Sequence, residues 1–245
     1  MNPKEKTKFI SNWIKSYAEG MPSKAQSLVI GISGGIDSSV SSTLSAMTGI
    51  KTIVLTMPIK QIENQHDLSL KHQNWLVKNF TNVEAHTISL DKLFETFSLT
   101  LNKFDNEHGF ANSRARLRMT TLYQVAAANK GIVVGTGNKV EDFGVGFYTK
   151  YGDGGVDISP IADCNKTEVW ELGKELGILK EIIDAPPTDG LWDDGRTDEG
   201  QLGFSYNELE DAMSNPDSPH KAKYEKIRKQ NLHKMDPIPV CKIPS

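Results

Sequence analysis

A chain of 245 residues, 38% hydrophobic and 24% charged, is long enough for one large α/β domain with a full core. Its net charge of −3 supplies no strong field for nucleic acid or a membrane surface. The two cysteines, Cys164 and Cys241, exclude a disulfide framework and lack the paired spacing of a metal site. The amino terminus has no apolar signal-peptide core; Phe9, Trp13 and Tyr17 recur there at helical spacing instead. No apolar run approaches the roughly 20 residues needed to cross a bilayer. These features predict a cytoplasmic protein.

Taken in order, Gln26–Ile32 reads as a short apolar strand, followed by SGGIDSS and an Ala/Leu/Ser helix to Met47. Lys51–Met57 is a second strand, closed by Pro58. His66–Phe80 reads as a helix with Leu68, His72, Trp75 and Leu76 on one side, and Val83–Leu90 alternates as a strand. Asn112–Asn129 is a helix with the stripe Ala115, Met119, Leu122 and Ala126; Gly131 punctuates it before a strand at Ile132–Val134. Asn165–Leu176 is helical, and Ala185–Gly200 reads as a surface loop. Ser205–Met213 is a short helix whose capping box pairs Ser205 with Glu208. Lys221–Leu232 is a charged last helix. Strands alternating with helices predict a doubly wound, mostly parallel sheet covered on both faces, with ligands beyond the carboxyl ends of the strands.

The sharpest motif lies on that rim. Gly31-Ile32-Ser33-Gly34-Gly35-Ile36-Asp37-Ser38-Ser39 follows a strand and opens a helix. Its glycines bring backbone N–H groups close to an anion, and the helix N-terminus adds its dipole. Asp37 is repulsive beside phosphate unless a cation joins them, and Mg²⁺ is the simplest such cation. The GxxxxGK[ST] pattern of the common P-loop is absent.

At these residues the sequence resembles the ATP pyrophosphatases with an SGGxDS loop. The later motifs select one family: NSRARLRM at 112–119, GTGNKVE at 135–141, FYTKYGDGGVD at 147–157, NKTE at 165–168, PPT at 186–188, and DE with LGFSY over 198–206. Together they resemble ammonia-dependent NAD synthetase from about Leu28 to His233. The resemblance implies an adenine nucleotide alpha hydrolase-like fold in one domain, 1–245, without a glutaminase domain. It also implies a homodimer with the dinucleotide site at the subunit interface. The implied reaction is ATP-dependent adenylation of the nicotinate carboxylate of deamido-NAD, release of pyrophosphate, and attack by ammonia to give NAD and AMP.

Within that resemblance, Gly31, Ile32, Ser33, Gly34, Gly35, Ile36, Asp37, Ser38, Thr136, Lys166 and Thr188 are expected at ATP. Asp37 and Glu141 are expected on Mg²⁺. Asp142 rivals Glu141, because the chain carries one extra residue just after Glu141 relative to the family pattern. Lys166 sits in the first turn of its helix, where a cation gains nothing from the dipole, which suits a lysine reaching an ATP phosphate. Asp153 is expected to bind ammonium and take its proton. Arg116 and Tyr123, seven residues apart on one helix face, are expected at the dinucleotide with Lys150, Asp157, His233 and Lys234; Asp157 either touches the nicotinate half or holds its loop. Asp193, Asp194, Asp198 and Glu199 read as a solvated, flexible lid rather than a metal site. Thr56 stands where some relatives carry arginine, which leaves adenine contacts there open.

The alternatives fit less well. A thiolating tRNA enzyme requires reactive cysteines and RNA affinity, and a GMP synthetase lacks KYGDGG. A mere ATP sensor has no need of Glu141, Lys166 and Asp153 together.

Overall fold

The structure is a computed structural model that describes residues 1–60, 63–188 and 197–244. Four parallel strands, β1 (Ser27–Gly31), β2 (Lys51–Thr56), β3 (Val83–Thr87) and β4 (Gly131–Val133), form a sheet in the order β3-β2-β1-β4. A parallel bridge from Val134 to Ile158 extends the β4 edge. The order in which strands are added reverses at β1, with β2 on one side and β4 on the other, so the loops after β1 and β4 open into the same crevice.

Alternation along the strands assigns the two faces. Leu28, Ile30, Val54, Ile132 and Val134 point to one core, shared with α1 (Pro3–Gly20), α2 (Ile36–Met47) and α6 (Lys166–Glu175). Val29, Ile53, Leu55 and Val133 point to the other, covered by α4 (Asp91–Thr100) and α5 (Glu107–Ala128). The expected doubly wound sheet is therefore present. A third apolar cluster lies beside the sheet. There a π-helix (Lys139–Val145) packs with α8 (Asp198–Leu202), α9 (Tyr206–Ser214) and α10 (Lys221–Met235) through Val140, Val145, Phe204, Tyr206 and Leu209. Among the described residues no helix is long and apolar enough to cross a membrane.

Local chemistry sets the helix ends. Asn2 and Glu5 form a reciprocal capping box for α1, with Pro3 at its start. The buried stripe of α1 is Ile10, Ile14 and Ala18, while Phe9, Trp13 and Tyr17 lie on its outer face. Helix α5 begins at Glu107, capped by Asn106, one turn before the periodic stripe becomes visible. The strand expected to reach Leu90 ends at Thr87, although Ile88 and Leu90 still donate to the carbonyls of Thr56 and Pro58. Helix α4 follows at once. It left no apolar stripe in the sequence because Phe94 is its one buried residue. Helix α3 spans Glu63–Asn79, and α7, Lys180–Ile183, is a single turn.

His72 of α3 is fully buried, its Nε2 3.0 Å from Ser42 Oγ and its ring stacked on Trp75. Burial disfavours the charged ring and lowers its pKa from 6.5 to about 4. Above pH 6.5 the folded and unfolded chains both hold it neutral. As pH falls toward 4 only the unfolded chain gains the proton, so this residue contributes stability that declines through that window. Urea unfolding between pH 7.5 and 4 should show wild-type stability falling by up to roughly 3 kcal/mol from this residue. His72→Gln should lack that component of the slope.

Candidate active site

The rim of the sheet gathers the motifs. After β1 the chain turns through Gly34, whose φ of +93° lies in the region open to glycine. It enters α2 with Gly35 as N-cap. In the free loop the serines satisfy one another. Ser33 Oγ and Ser38 Oγ are 3.1 Å apart, and Ser38 and Ser39 hydroxyls donate to the Gly35 carbonyl at 3.1 and 2.9 Å. The Gly35 and Ser33 amides donate to the Ser33 and Ser38 hydroxyl oxygens at 3.2 and 3.3 Å. A bound anion can take over these donors without leaving a buried group unpaired.

Asp37, in the first turn of α2, faces the N-cap and one residue of the π-helix and one residue of α6. Lys166 Nζ donates to Asp37 Oδ2 at 2.6 Å and to Glu141 Oε1 at 2.8 Å, and its side chain is 1% exposed. The Asn138 side-chain amide donates to Asp37 Oδ1 at 3.0 Å and to Glu141 Oε2 at 2.7 Å. Asn138 Oδ1 meanwhile accepts from the Val140 and Glu141 amides, capping the π-helix. The Tyr206 hydroxyl donates to Glu141 Oε1 and lies 3.4 Å from Asp198 Oδ2. Lys166 also sits 4.9 Å from the Tyr206 ring centroid and 5.9 Å from that of Trp170.

Burial works against the Lys166 ammonium, but Asp37 and Glu141 outweigh it and hold its pKa above the ordinary lysine value. Burial pushes the Asp37 carboxyl up, with Lys166 pulling it back. Burial and then Glu141 also raise the Tyr206 hydroxyl, which stays a donor. The start of α6 is fixed independently of this charge cluster. Glu168 closes a capping box on Asn165 and pairs with Lys6, while Glu210 accepts from the Thr167 amide and hydroxyl at 3.0 and 2.7 Å.

Residues Lys139–Val145 form a π-helix, a widened turn that recurs at functional sites. It turns Glu141 toward Asp37 and sends Asp142 elsewhere. The Asp142 carboxylate lies over Gly137, where an added Cβ would meet Oδ2 at 1.9 Å. Burial, then Asp153 and Glu141, raise the Asp142 pKa well above the usual carboxylate range. The geometry thus favours Glu141 over Asp142 as the partner of Asp37. Among the described residues no group of three or more His, Cys, Asp or Glu side chains could hold a metal. A pair of hard carboxylates already drawn around a cation fits Mg²⁺, which takes most of its remaining ligands from water and phosphate.

A second group of predicted residues gathers around the KYGDGG turn. Asp153 Oδ1 accepts from the Thr149 amide at 2.9 Å, and Thr149 Oγ1 donates to Asn112 Oδ1 at 2.6 Å. A Cβ on Gly152 would lie 2.8 Å from Ala115 Cβ, so the turn sits directly on α5. Lys150 Nζ donates to the His233 carbonyl at 2.8 Å. The Tyr148 hydroxyl and Lys234 Nζ bond each other's main-chain carbonyls at 2.5 and 2.9 Å. Thus His233 and Lys234 grip this turn through their carbonyls and, for Lys234, its ammonium. Asp157 holds its loop: Oδ2 accepts from the Val133 amide at 2.7 Å and Oδ1 from the Tyr123 hydroxyl at 3.1 Å. Burial and Asp157 push the Tyr123 hydroxyl up to about 12.

Arg116 is exposed and its Nε donates to the Lys150 carbonyl at 3.3 Å. Arg118 instead donates to the Met57 carbonyl at 3.0 Å, and Arg114 is buried 5.0 Å from the Phe94 ring centroid. Thr136 lies half-buried between β4 and the π-helix, and Thr188 half-buried after Pro187.

The expected solvated acidic lid needs correction. It fails at Asp198, which is buried beside the Tyr206 hydroxyl; Glu199 is exposed as expected, though its carboxylate accepts from the Tyr206 amide at 3.0 Å. Thr197 caps α8. Asp193 and Asp194 lie outside the described residues. Asn138 and Tyr206 had no assigned role from sequence; a polar residue just after GTG and a tyrosine just after the Ser205 cap were the available signals.

A parallel α/β sheet with a serine- and glycine-rich turn, a helix N-terminus and a lysine–carboxylate cluster on its rim is consistent with the SGGxDS class that the motifs resemble. A profile of the NAD synthase family matches residues 6–242, and the chain belongs to that family. It is 37% identical over 216 residues to the NH(3)-dependent NAD(+) synthetase of Carboxydothermus hydrogenoformans, covering 86% of this chain and 85% of the relative. With the enzyme of the same description from Finegoldia magna it shares 37% identity over 227 residues, 92% of this chain and 90% of the relative. Among solved structures, an NMN synthetase from Francisella tularensis superposes with a TM-score of 0.91 at 33% identity, covering 99% of this chain and all of that one. An NH3-dependent NAD synthetase from Campylobacter jejuni superposes with a TM-score of 0.79 at 24% identity, covering 99% of this chain and all of that one, and supports the fold. The carbon–nitrogen ligase class read from the motifs is borne out.

Asn138 both caps the π-helix and spans the carboxylates, so Asn138→Ala strands two amides of that helix. Urea unfolding should show a loss of about 1–3 kcal/mol. Unchanged stability would mean that the bridge is not required to hold the π-helix.

Proposed function

We propose that this chain amidates the nicotinate carboxylate of deamido-NAD with free ammonia, consuming ATP and yielding NAD, AMP and pyrophosphate. The observation that carries this reading is the Asp37–Lys166–Glu141 constellation beside the SGGIDSS turn, in a chain of the NAD synthase family. Amides and hydroxyls of Ser33, Gly34, Gly35 and Ser38 receive the departing phosphates, with Gly31, Ile32 and Ile36 shaping the turn and Thr136 and Thr188 on the nucleotide. Mg²⁺, held by Asp37 and Glu141, supplies charge neutralisation at the phosphate oxygens.

A nicotinate carboxylate oxygen attacks the α-phosphorus, the bond to pyrophosphate breaks, and an acyl-adenylate forms. Lys166 steadies the charge that accumulates on the leaving group. Ammonium docks at Asp153, which takes its proton. The freed lone pair then attacks the acyl carbon, and AMP leaves with the C–O electron pair. Arg116, Tyr123, Lys150, Asp157, His233 and Lys234 line or support the dinucleotide site, which a homodimer completes. The enzyme works in the cytoplasm.

The likeness to the NMN synthetase favours one second reading, in which the same chemistry acts on the mononucleotide, deamido-NMN. Purified protein given ATP, Mg²⁺, ammonium and each acyl substrate separately should form amide and AMP one-for-one. A higher kcat/KM for deamido-NAD supports the first reading, and a higher value for deamido-NMN the second. No amide from either substrate by folded protein would defeat both. Asp37→Ala should lose about 100-fold or more in kcat. Asp153→Asn should lose about 100-fold with its saturation by ATP little changed.

A further inference from the structure

The space between Asp37 and Glu141 is filled by the chain's own cation. Lys166 Nζ bonds one oxygen of each carboxylate at 2.6 and 2.8 Å, and the neutral Asn138 amide bonds the other oxygen of each. The Tyr206 hydroxyl closes Glu141 Oε1 from a third side. A divalent ion bound at about 2.0–2.1 Å from the same two oxygens would meet the ammonium at close quarters, with like charges facing one another. Lysine and metal therefore compete for one position.

We propose that Lys166 is the resident counter-cation of this carboxylate pair, and that a divalent ion enters only by exchange. Its ammonium then moves onto the incoming triphosphate. This inference rests on the reading of Asp37 and Glu141 as the metal carboxylates. The exchange is local, because the α6 backbone is held in place by Asn165, Glu168 and Glu210, so only the four-carbon stem of Lys166 has to re-orient. The ammonium leaves two carboxylates and the Tyr206 ring only for a ligand of comparable negative charge, and a free metal ion brings none. The protein accordingly takes up metal together with nucleotide and refuses metal alone.

Mn²⁺ serves as the probe, followed by loss of the free-ion electron paramagnetic resonance signal and by calorimetry on the full chain. Wild type should leave millimolar Mn²⁺ free. With an ATP analogue carrying a methylene bridge between its α and β phosphates, it should bind about one Mn²⁺ per nucleotide. Lys166→Met should bind Mn²⁺ without nucleotide at least ten-fold more tightly than wild type, with a melting temperature that rises on adding Mn²⁺. The double variant Lys166→Met/Asp37→Asn should lose that gain.

Wild type binding Mn²⁺ equally with and without the analogue would overturn the exchange and leave the metal carboxylates standing. A bound analogue without Mn²⁺ uptake would overturn both. A folded Lys166→Met with no gain in Mn²⁺ affinity would also overturn the exchange. If Lys166→Met folds only when Mn²⁺ is added, that dependence itself supports the exchange. If it folds under neither condition, the wild-type pair of titrations decides.

Discussion

Two carboxylates drawn together in a largely buried site repel each other unless a cation lies between them. Everything around Asp37 and Glu141 follows from that constraint. Lys166 supplies the charge, Asn138 the remaining donors, and Tyr206 the cover. A buried ionic cluster of this kind is weak evidence for stability, since apolar replacements of equal volume often do as well. Its presence in a chain with ample apolar core therefore marks a site that binds charge. The polyphosphate-accepting turn beside it and the hard oxygen donors agree on what that charge is.

The fold brings these groups together by placing three chain segments, far apart in sequence, at one end of the sheet. Asp37 arrives from the turn after β1, and Asn138 and Glu141 from the segment after β4. Lys166 arrives at the first turn of α6, which packs back on α2. The side cluster of Val140, Val145, Phe204, Tyr206 and Leu209 lets α8 to α10 buttress the π-helix from outside the sheet. In that layer α10 reaches the KYGDGG turn through carbonyl contacts, so residues near the carboxyl terminus position groups whose own chemistry they do not share.

Much of this was legible in the sequence because the signals were local. Short apolar strands, the Ser205–Glu208 capping box and the Gly-Gly turn each depend on neighbours within a few residues, and each appears where it was expected. Lys166, Asp37 and Glu141 were legible as a set through the family pattern, and a cation at the start of a helix was itself an anomaly requiring a partner. What escaped depended on distant contacts. Asp198 reads as one acid in a solvated run until Tyr206 and Pro187 are seen to fold around it. Helix α4 has one buried side chain and hence no periodic stripe. Asn138 looked like an ordinary turn residue because its two carboxylate partners come together only when the turn after β4 meets the first turn of α2. The surplus residue expected after Glu141 gave no sign of which side chain turns inward.

The π-helix has a consequence for how the residues on its two sides can change. Glu141 faces the phosphate end and its neighbour Asp142 lies over Gly137, within electrostatic reach of Asp153. Adjacent residues of one short π-helical segment thus face the Asp37–Lys166 cluster on one side and the KYGDGG turn on the other. Removing or adding a residue there would rotate both side chains at once. Selection acting on acceptor preference alone therefore has little purchase within residues 139–145. Changes that separate the two half-reactions must come from outside it, from the supporting helices and the KYGDGG turn.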